Sequence, residues 1–120
     1  MPTNDFREKL KEKMDKYVHF IYQLTRNFPE EEKYGVISQI RRASLSIILN
    51  FIEGYARMQK NTQRNFLEIS YGSLKESKYL LYFSLVEKYI SKQEYNKGLK
   101  MVDEIGAMLW PIIKGLKNEK

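Results

Sequence analysis

The sequence predicts an all-α protein, an antiparallel up-down-up-down four-helix bundle. Apolar residues recur at steps of three and four in four successive segments, short breaks separate these segments, and none shows the alternation of a β-strand. The expected helices cover about residues 4–27, 30–58, 62–89 and 92–117, within a single domain spanning residues 1–120. Because the connections are short, consecutive helices are expected to be antiparallel neighbours.

The first helix has an apolar seam and a proline just after its end. Pro29 disfavours helical geometry in the residue before it, so the helix should end near Asn27. Glu30, Glu31 and Glu32 suit the start of the next helix better than a metal site, because contiguous acids cannot all converge on one ion. The seam of the first helix consists of Leu10, Met14, Tyr17, Ile21, Leu24 and Phe28.

The second helix is apolar on nearly every side between Leu45 and Ile52, where six of eight residues are apolar. A surface helix leaves one side for water, so this stretch is expected to be buried all round. Polar side chains nevertheless cross it, and because buried polar groups need partners they should face a polar groove or another subunit. This polar stripe consists of Gln39, Arg42, Ser46, Asn50, Glu53 and Arg57.

The third helix combines a leucine–serine seam with a second very apolar stretch. Gly72 and Ser73 beside the seam should let a neighbouring backbone come close, and Gly54 on the second helix suits such a contact. Residues Tyr79 to Val86 are apolar or aromatic on almost every side, so the two middle helices carry more apolar surface than one chain buries. The seam consists of Leu67, Ser70, Leu74, Ser77, Leu81 and Ser84.

The fourth helix begins at a capping box and contains a proline. Ser91 and Glu94 have the spacing at which each side chain bonds the backbone amide of the other residue. Pro111 is expected to kink or break this helix, because proline lacks an amide hydrogen and its ring clashes with the preceding turn.

Composition narrows the class of protein. There is no cysteine, which excludes disulfides and cysteine-ligated zinc. The first residues lack the apolar segment of a signal peptide, and no apolar run approaches the roughly 20 residues of a membrane span, so a soluble cytoplasmic protein is expected. The formal charge of +6 and the pI of about 9.4 favour an anionic partner.

Catalysis has little support in the sequence. The single histidine, His19, lies beside the apolar seam of the first helix and is interpreted as a structural or surface residue. Glu53 and Glu76 form either an acid/base pair or, as we prefer, ion pairs and hydrogen bonds with Arg57 and with a basic or serine side chain across an interface. No catalytic residue, metal or cofactor is predicted, and the protein is not expected to be an enzyme.

Nucleic-acid binding has more support. Residues 33–64 contain six basic residues and one acid, and Arg57, Lys60 and Arg64 surround the loop between the second and third helices. Such clustering suits phosphate backbones, since each neutralised phosphate releases counterions. These three are the first choice for phosphate contacts and Tyr55 for base stacking; the alternative is a solvated, solubilising surface. Arg41 and Arg42 are the second choice. The chain has no recognition-helix, RNP or zinc-finger motif, so no sequence preference is expected.

Three segments together resemble a known family. The resemblance is to the four-helix bundle proteins encoded in intervening sequences of bacterial 23S ribosomal RNA genes, and it is carried by FPEEEKYGVISQIRRASLSI, NFIEG and NFLEISYGSLKES. The accessory proteins of diversity-generating retroelements are similar. The resemblance runs from about Leu24 to Leu81. Ile48 stands where the family usually has proline and Ile52 where it has alanine, which predicts a less bent second helix and altered packing there.

The resemblance implies a small, basic, non-enzymatic bundle that assembles into a ring-like homopentamer with roles in binding nucleic acid. In the retroelement branch a reverse transcriptase is also a partner, so a protein-interaction scaffold that docks such an enzyme is the alternative function. Close packing is expected at Gly54, Gly72 and Ser73. The resemblance also suggests that buried polar residues fix helix register or subunit contacts. The residues of this expected network are Gln39, Ser46, Asn50, Glu53 and Glu76.

Overall fold

The computed structural model describes residues 2–117, and these residues form four long helices and one short 3-10 turn, Glu30–Glu32. Each helix packs on two neighbours: α1 and α3 both contact α2 and α4. The predicted all-α, antiparallel four-helix bundle is therefore confirmed. The four helices are α1 (Asn4–Thr25), α2 (Val36–Tyr55), α3 (Lys60–Val86) and α4 (Lys92–Lys117).

The helix ends are fixed by local hydrogen bonds. The hydroxyl of Thr3 accepts a hydrogen bond from the amide of Phe6 at 3.1 Å and caps α1. The predicted capping box of α4 is confirmed, since Ser91 Oγ accepts from the Glu94 amide at 3.1 Å and Glu94 Oε1 accepts from the Ser91 amide at 2.8 Å. After α3, Lys88 has a φ of 65° in the left-handed region and turns the chain toward α4.

The second helix begins six residues later than expected, at Val36 instead of residue 30. Glu30–Glu32 form a separate 3-10 turn, and the Glu32 carboxylate reaches the amide of Val36 at 3.4 Å. The same carboxylate accepts a hydrogen bond of 2.7 Å from the Tyr89 hydroxyl, which raises the pKa of Tyr89 to about 12. Of the three acids, Glu32 therefore contacts the start of α2, from a turn that precedes the helix.

The fourth helix continues through Pro111 and is not broken there, contrary to one of the two expected outcomes. Leu109, Ile112 and Ile113 on the same helix are buried in the core, and their packing holds the backbone helical. Proline cannot donate to the carbonyl of Ala107, four residues earlier, but Ala107 is exposed and water can bond that oxygen. The hydrogen bond that the proline removes is thus less costly here than it would be in a buried turn.

The core contains a hydrogen bond that crosses the bundle from α1 to α3. The Tyr17 hydroxyl donates to Ser77 Oγ at 3.0 Å, and Ser77 Oγ donates to the carbonyl of Leu74 at 2.9 Å. Both side chains are fully buried. Burial raises the pKa of Tyr17 and the hydrogen bond to Ser77 opposes that rise, so the phenol is a neutral donor near pH 7.

Small side chains bring α2 and α3 close together. Ser70 Oγ donates to the carbonyl of Ile47 at 2.6 Å, and the hydroxyls of Ser46 and Ser73 are 2.7 Å apart. A Cβ added at Gly54 would lie 3.2 Å from Cδ2 of Leu67 and 3.3 Å from the carbonyl oxygen of Gln63. Glycine and serine therefore set the separation of these helices.

Gly72 does not share this role within one chain. A Cβ added there would meet no other group within 4 Å, because Gly72 faces outward from α3. The expectation of close packing at Gly72 was wrong for the single chain, since a step of one residue from Ser73 turns the position by about 100° around the helix.

We expect the Tyr17–Ser77 pair to be strongly coupled. Ser77→Ala should destabilise the fold by about 1–3 kcal/mol, because the buried Tyr17 hydroxyl then lacks its partner, whereas Tyr17→Phe should cost only about 1 kcal/mol. The double variant should be more stable than the sum of the two single losses implies. Urea unfolding followed by circular dichroism measures all three, and simple additivity would contradict this account.

Alanine substitutions at Gly54 and Gly72 should have opposite effects on stability. Gly54→Ala should lower the free energy of unfolding by about 1–2 kcal/mol, because the added methyl group meets backbone and Cβ atoms that cannot move aside easily. Gly72→Ala should raise it by up to about 1 kcal/mol through better helix propensity alone. Thermal unfolding of both variants tests the contrast, and equal stabilisation by the two changes would refute the close approach at Gly54.

Candidate interaction surfaces

The outer side of α2 exposes large apolar side chains. Leu45, Leu49 and Ile52 are 36%, 57% and 48% exposed, so the stretch from Leu45 to Ile52 is not buried all round by a single chain. The sequence pattern predicted burial correctly only for the inner side, which carries Ile47 and Phe51. On α3 the exposed apolar residues are Ile69, Tyr79, Tyr82 and Val86. We refer to these seven residues of α2 and α3 as the outer apolar residues.

The polar residues of the expected network fall into separate groups. Asn50 Nδ2 donates at 2.9 Å to both the carbonyl and the hydroxyl oxygen of Ser46, whose hydroxyl also contacts Ser73. Glu53, near the end of α2, instead pairs with Arg57 in the loop that follows. The side chains of Gln39 and Glu76 form no hydrogen bond or ion pair with any residue in the range 2–117. Within one chain, Ser46 and Asn50 are thus the two residues of the expected network that bond to each other.

Arg57, Lys60 and Arg64 lie together at one end of the bundle. The Arg57 guanidinium pairs with Glu53 and lies over the ring of Phe66 at 5.1 Å. Nε of Arg64 is 3.2 Å from Oε1 of Glu68, although the angle is too poor for a hydrogen bond. Each arginine is therefore held one turn from a carboxylate, which offsets part of its charge.

The fold brings three further cations to this end. Arg7 stands at the start of α1, and Lys114 and Lys117 in the last turns of α4 are exposed. Sequence analysis missed them because they are distant along the chain from the α2–α3 loop. The antiparallel order of the helices could have identified them, since it places the start of α1 and the end of α4 beside that loop. The set Arg7, Arg57, Lys60, Arg64, Lys114 and Lys117 is called the basic end below.

A small apolar cavity shows how the four helices meet at the basic end. It has a volume of about 240 Å³. Phe6 from α1, Tyr55 from α2, Gln63 from α3 and Leu116 from α4 all line it. The ends of all four helices are therefore neighbours here.

The ring of Tyr55, which was expected to stack on a base, is already engaged by contacts within the bundle. The Arg7 guanidinium lies 4.5 Å above its ring, and the ring packs edge-on against Phe51 at 5.0 Å. Its hydroxyl is buried and has no hydrogen-bond partner within residues 2–117. Burial raises the pKa of Tyr55, and the nearby Arg7 charge opposes the rise. Aromatic packing inside the bundle explains why this ring is engaged.

Arg41 and Arg42 have different surroundings although they are adjacent. Arg41 Nε donates to the Thr25 hydroxyl at 2.8 Å, and its guanidinium also donates to the carbonyl of Tyr22 at 3.3 Å and lies 4.5 Å over the Tyr22 ring. Arg41 thus joins α1 to α2. Arg42 is exposed beside Leu45 and forms no hydrogen bond or ion pair with the part of the chain that is described.

The single histidine of the chain lies on the surface of α1. His19 is exposed and lies 3.3 Å from Asp15 on the surface of α1. Among residues 2–117, no three histidine, aspartate or glutamate side chains are placed to hold a metal ion. Within the same residues, none of the helices combines the length and apolar character required to cross a bilayer.

Comparisons with known proteins agree with this architecture. The family model of the 23S rRNA-intervening sequence protein matches residues 8–110. The fold is similar to the 1.70 Å crystal structure of a protein of unknown function from the S23 ribosomal protein family of Bacteroides thetaiotaomicron VPI-5482. That similarity has a TM-score of 0.84 at 25% identity and covers 91% of this chain and 98% of the other. No curated protein matches. The match over residues 8–110 shows that the chain belongs to the 23S rRNA-intervening sequence protein family.

Proposed function

We propose that the protein is a non-enzymatic, homo-oligomeric bundle that binds RNA or DNA without strong sequence preference at its basic end. The observation that carries the proposal is the convergence of six basic side chains, from α1, α3, α4 and the α2–α3 loop, on one end of the bundle. A protein surface with this density of positive charge binds the phosphate backbone without reading the bases. The name of the family refers to intervening sequences of 23S rRNA, and this agrees with a nucleic-acid partner.

The strength of the proposed surface depends on how its charges are compensated. Glu53 and Glu68 offset part of the charge of Arg57 and Arg64. Lys114 and Lys117 form no ion pair with residues 2–117 and add charge from the end of α4. Binding should therefore be weak for a single bundle and strongly dependent on salt, since exposed charges are screened over about 10 Å at 0.1 M salt.

Assembly is proposed to occur through the outer apolar residues. A half-exposed leucine on a soluble bundle is ordinary by itself, but Leu45, Leu49 and Ile52 share one side of α2. Another copy of the chain would remove this side from water. It would also give Arg42 and Glu76 the chance to find partners, because both are exposed and unpaired within residues 2–117.

Assembly and nucleic-acid binding reinforce each other in this proposal. A ring of five copies, as the family resemblance implies, repeats the basic end five times around one axis. Several weak contacts on one strand then act together, so that the affinity of the ring exceeds that of one bundle. The repeated charge also raises the local positive potential and speeds association with a polyanion.

Removing the three cations at the α2–α3 loop should weaken binding. The triple variant Arg57→Ala, Lys60→Ala, Arg64→Ala should bind a labelled RNA at least about tenfold more weakly at low salt, and the slope of log affinity against log salt should fall by about two or more. Fluorescence anisotropy over a salt series measures both quantities.

A charge-matched control lies at the opposite end of the bundle. Lys92, Lys97 and Lys100 are exposed on the first half of α4, so their triple alanine variant changes the net charge equally at a distance from the basic end. It should lose much less affinity. Equal losses of affinity in the two triple variants would mean that binding depends on net charge and not on the basic end. Absence of binding by the native protein at low salt would contradict the proposal as a whole.

A charge placed among the outer apolar residues should dissociate the oligomer. The native protein should have a solution mass several times that of the 14.4 kDa chain, and Leu49→Glu should reduce it to one chain, because a carboxylate would be buried without a partner. Light scattering measures the mass. Met58→Glu is the control, since Met58 is 99% exposed in the α2–α3 loop and its change should leave the mass intact. A native mass of one chain would contradict assembly.

The exposed side of α2 also favours a second candidate, a scaffold that docks a protein such as a reverse transcriptase. In that case Leu49 and its neighbours would contact the partner, and nucleic acid would only pass nearby. A complex with a reverse transcriptase that survives nuclease and high salt but is lost in Leu49→Glu would support this function over the first.

A further inference from the structure

Trp110 forms a half-exposed aromatic surface on the side of the bundle formed by α3 and α4. Its indole is 48% exposed, and the Tyr71 ring packs against it with centroids 5.1 Å apart and planes inclined by 38°. The two rings line a shallow groove of about 290 Å³, which Gly106 and Ala107 also line. Small residues beside a large exposed ring leave space for a flat group to approach the indole.

Three cations lie on the same sides of α3 and α4 as this aromatic pair. The Lys75 ammonium lies 5.2 Å from the centroid of the Tyr71 ring, and Lys114 follows Trp110 by four residues on the same side of α4. Arg64 precedes Tyr71 by seven residues, which places it on the same side of α3 at about 10 Å along the helix axis. Two members of the basic end, Arg64 and Lys114, therefore lie on the same sides of α3 and α4 as the aromatic pair.

Acidic groups are also present, and their positions limit where a phosphate could lie. Asp103 lines the groove, but its Oδ1 is 3.2 Å from Nζ of Lys78 in an ion pair. Glu68 is similarly close to Arg64. Neither Lys75 nor Lys114 forms an ion pair with a carboxylate of residues 2–117, so a phosphate backbone would pass on their side of the groove.

We propose that Trp110, supported from behind by Tyr71, is a stacking site for an unpaired nucleobase, so that the protein prefers single-stranded to duplex nucleic acid. The inference rests on the proposed function, because Arg64 and Lys114 would hold the phosphates of the same strand. Stacking on an aromatic ring does not distinguish bases strongly, which agrees with the lack of a base-reading motif. In a duplex both faces of each base are already stacked, so only single strands can use the site.

The chain offers a direct measurement, because Trp110 is its only tryptophan. A labelled oligouridine of about twelve nucleotides should quench Trp110 fluorescence over the same concentration range in which its own anisotropy rises. Trp110→Ala should reduce affinity for that strand by about tenfold and should change affinity for a duplex of equal length less than twofold. Trp110→Phe, which keeps a ring, should recover most of the loss.

Tyr34→Ala is the matched control, since Tyr34 is an 88% exposed aromatic residue beside Lys33 outside the groove. It should leave single-strand affinity unchanged. If anisotropy rises while Trp110 fluorescence stays constant and Trp110→Ala binds normally, the stacking site is refuted and the proposed function stands. If no anisotropy change occurs at low salt, nucleic-acid binding itself fails, and the stacking site with it. A lower oligomer mass in Trp110→Ala would assign the ring to a contact between copies and overturn the inference.

Discussion

The contact between α2 and α3 depends on hydroxyl groups and a glycine, and this constraint organises the bundle. Ser70 donates to a backbone carbonyl of the facing helix at Ile47, which is possible only if the two helices lie unusually close. Leucine side chains then fill the space on either side of the serines. The polar atoms in this contact are satisfied within the pair of helices, so the core keeps small polar groups without leaving them unbonded.

Close packing of α2 and α3 also determines what remains outside. The inner residues of α2 pack in the core, and the hydroxyl of Ser46 contacts Ser73 of α3. The other large side chains of α2, Leu45, Leu49 and Ile52, are directed to solvent. The exposed side is therefore a consequence of how the helix is used internally. Similarly, the engagement of Arg41 with Thr25 and Tyr22 leaves Arg42 as the arginine of that pair that can face a partner.

The helices and their buried seams could be predicted because each depends on local spacing. The seam from Leu10 to Phe28 is buried throughout, and the Ser91 capping box forms as its residue types indicate. Apolar periodicity alone could not say which apolar side of a helix is covered by the same chain and which is left exposed. The tendency of Pro111 to break α4 was overestimated for a related reason. Helix propensity describes an isolated helix, and here the packing of the neighbouring residues outweighs the low propensity of proline.

The interaction surfaces were harder to predict because they combine residues that are distant in sequence. Arg7 and Lys114 reach the α2–α3 loop only through the topology, and the Tyr71–Trp110 pair depends on the register between α3 and α4. Sequence spacing defines a face of one helix but not the vertical offset of two helices. Tyr55 illustrates the limit, since nothing in the local pattern indicates that Arg7 covers its ring.

The hydrogen bond between Tyr89 and Glu32 has a mechanical consequence for the proposed association of copies. It connects the turn between α1 and α2 with the turn between α3 and α4, while the α2–α3 loop joins the same two hairpins covalently at the opposite end. The hairpins are thus fastened at both ends and cannot part without breaking this bond and the adjacent Phe28–Tyr89 ring contact. Exchange of hairpins between copies is disfavoured, and association would proceed by docking of intact bundles.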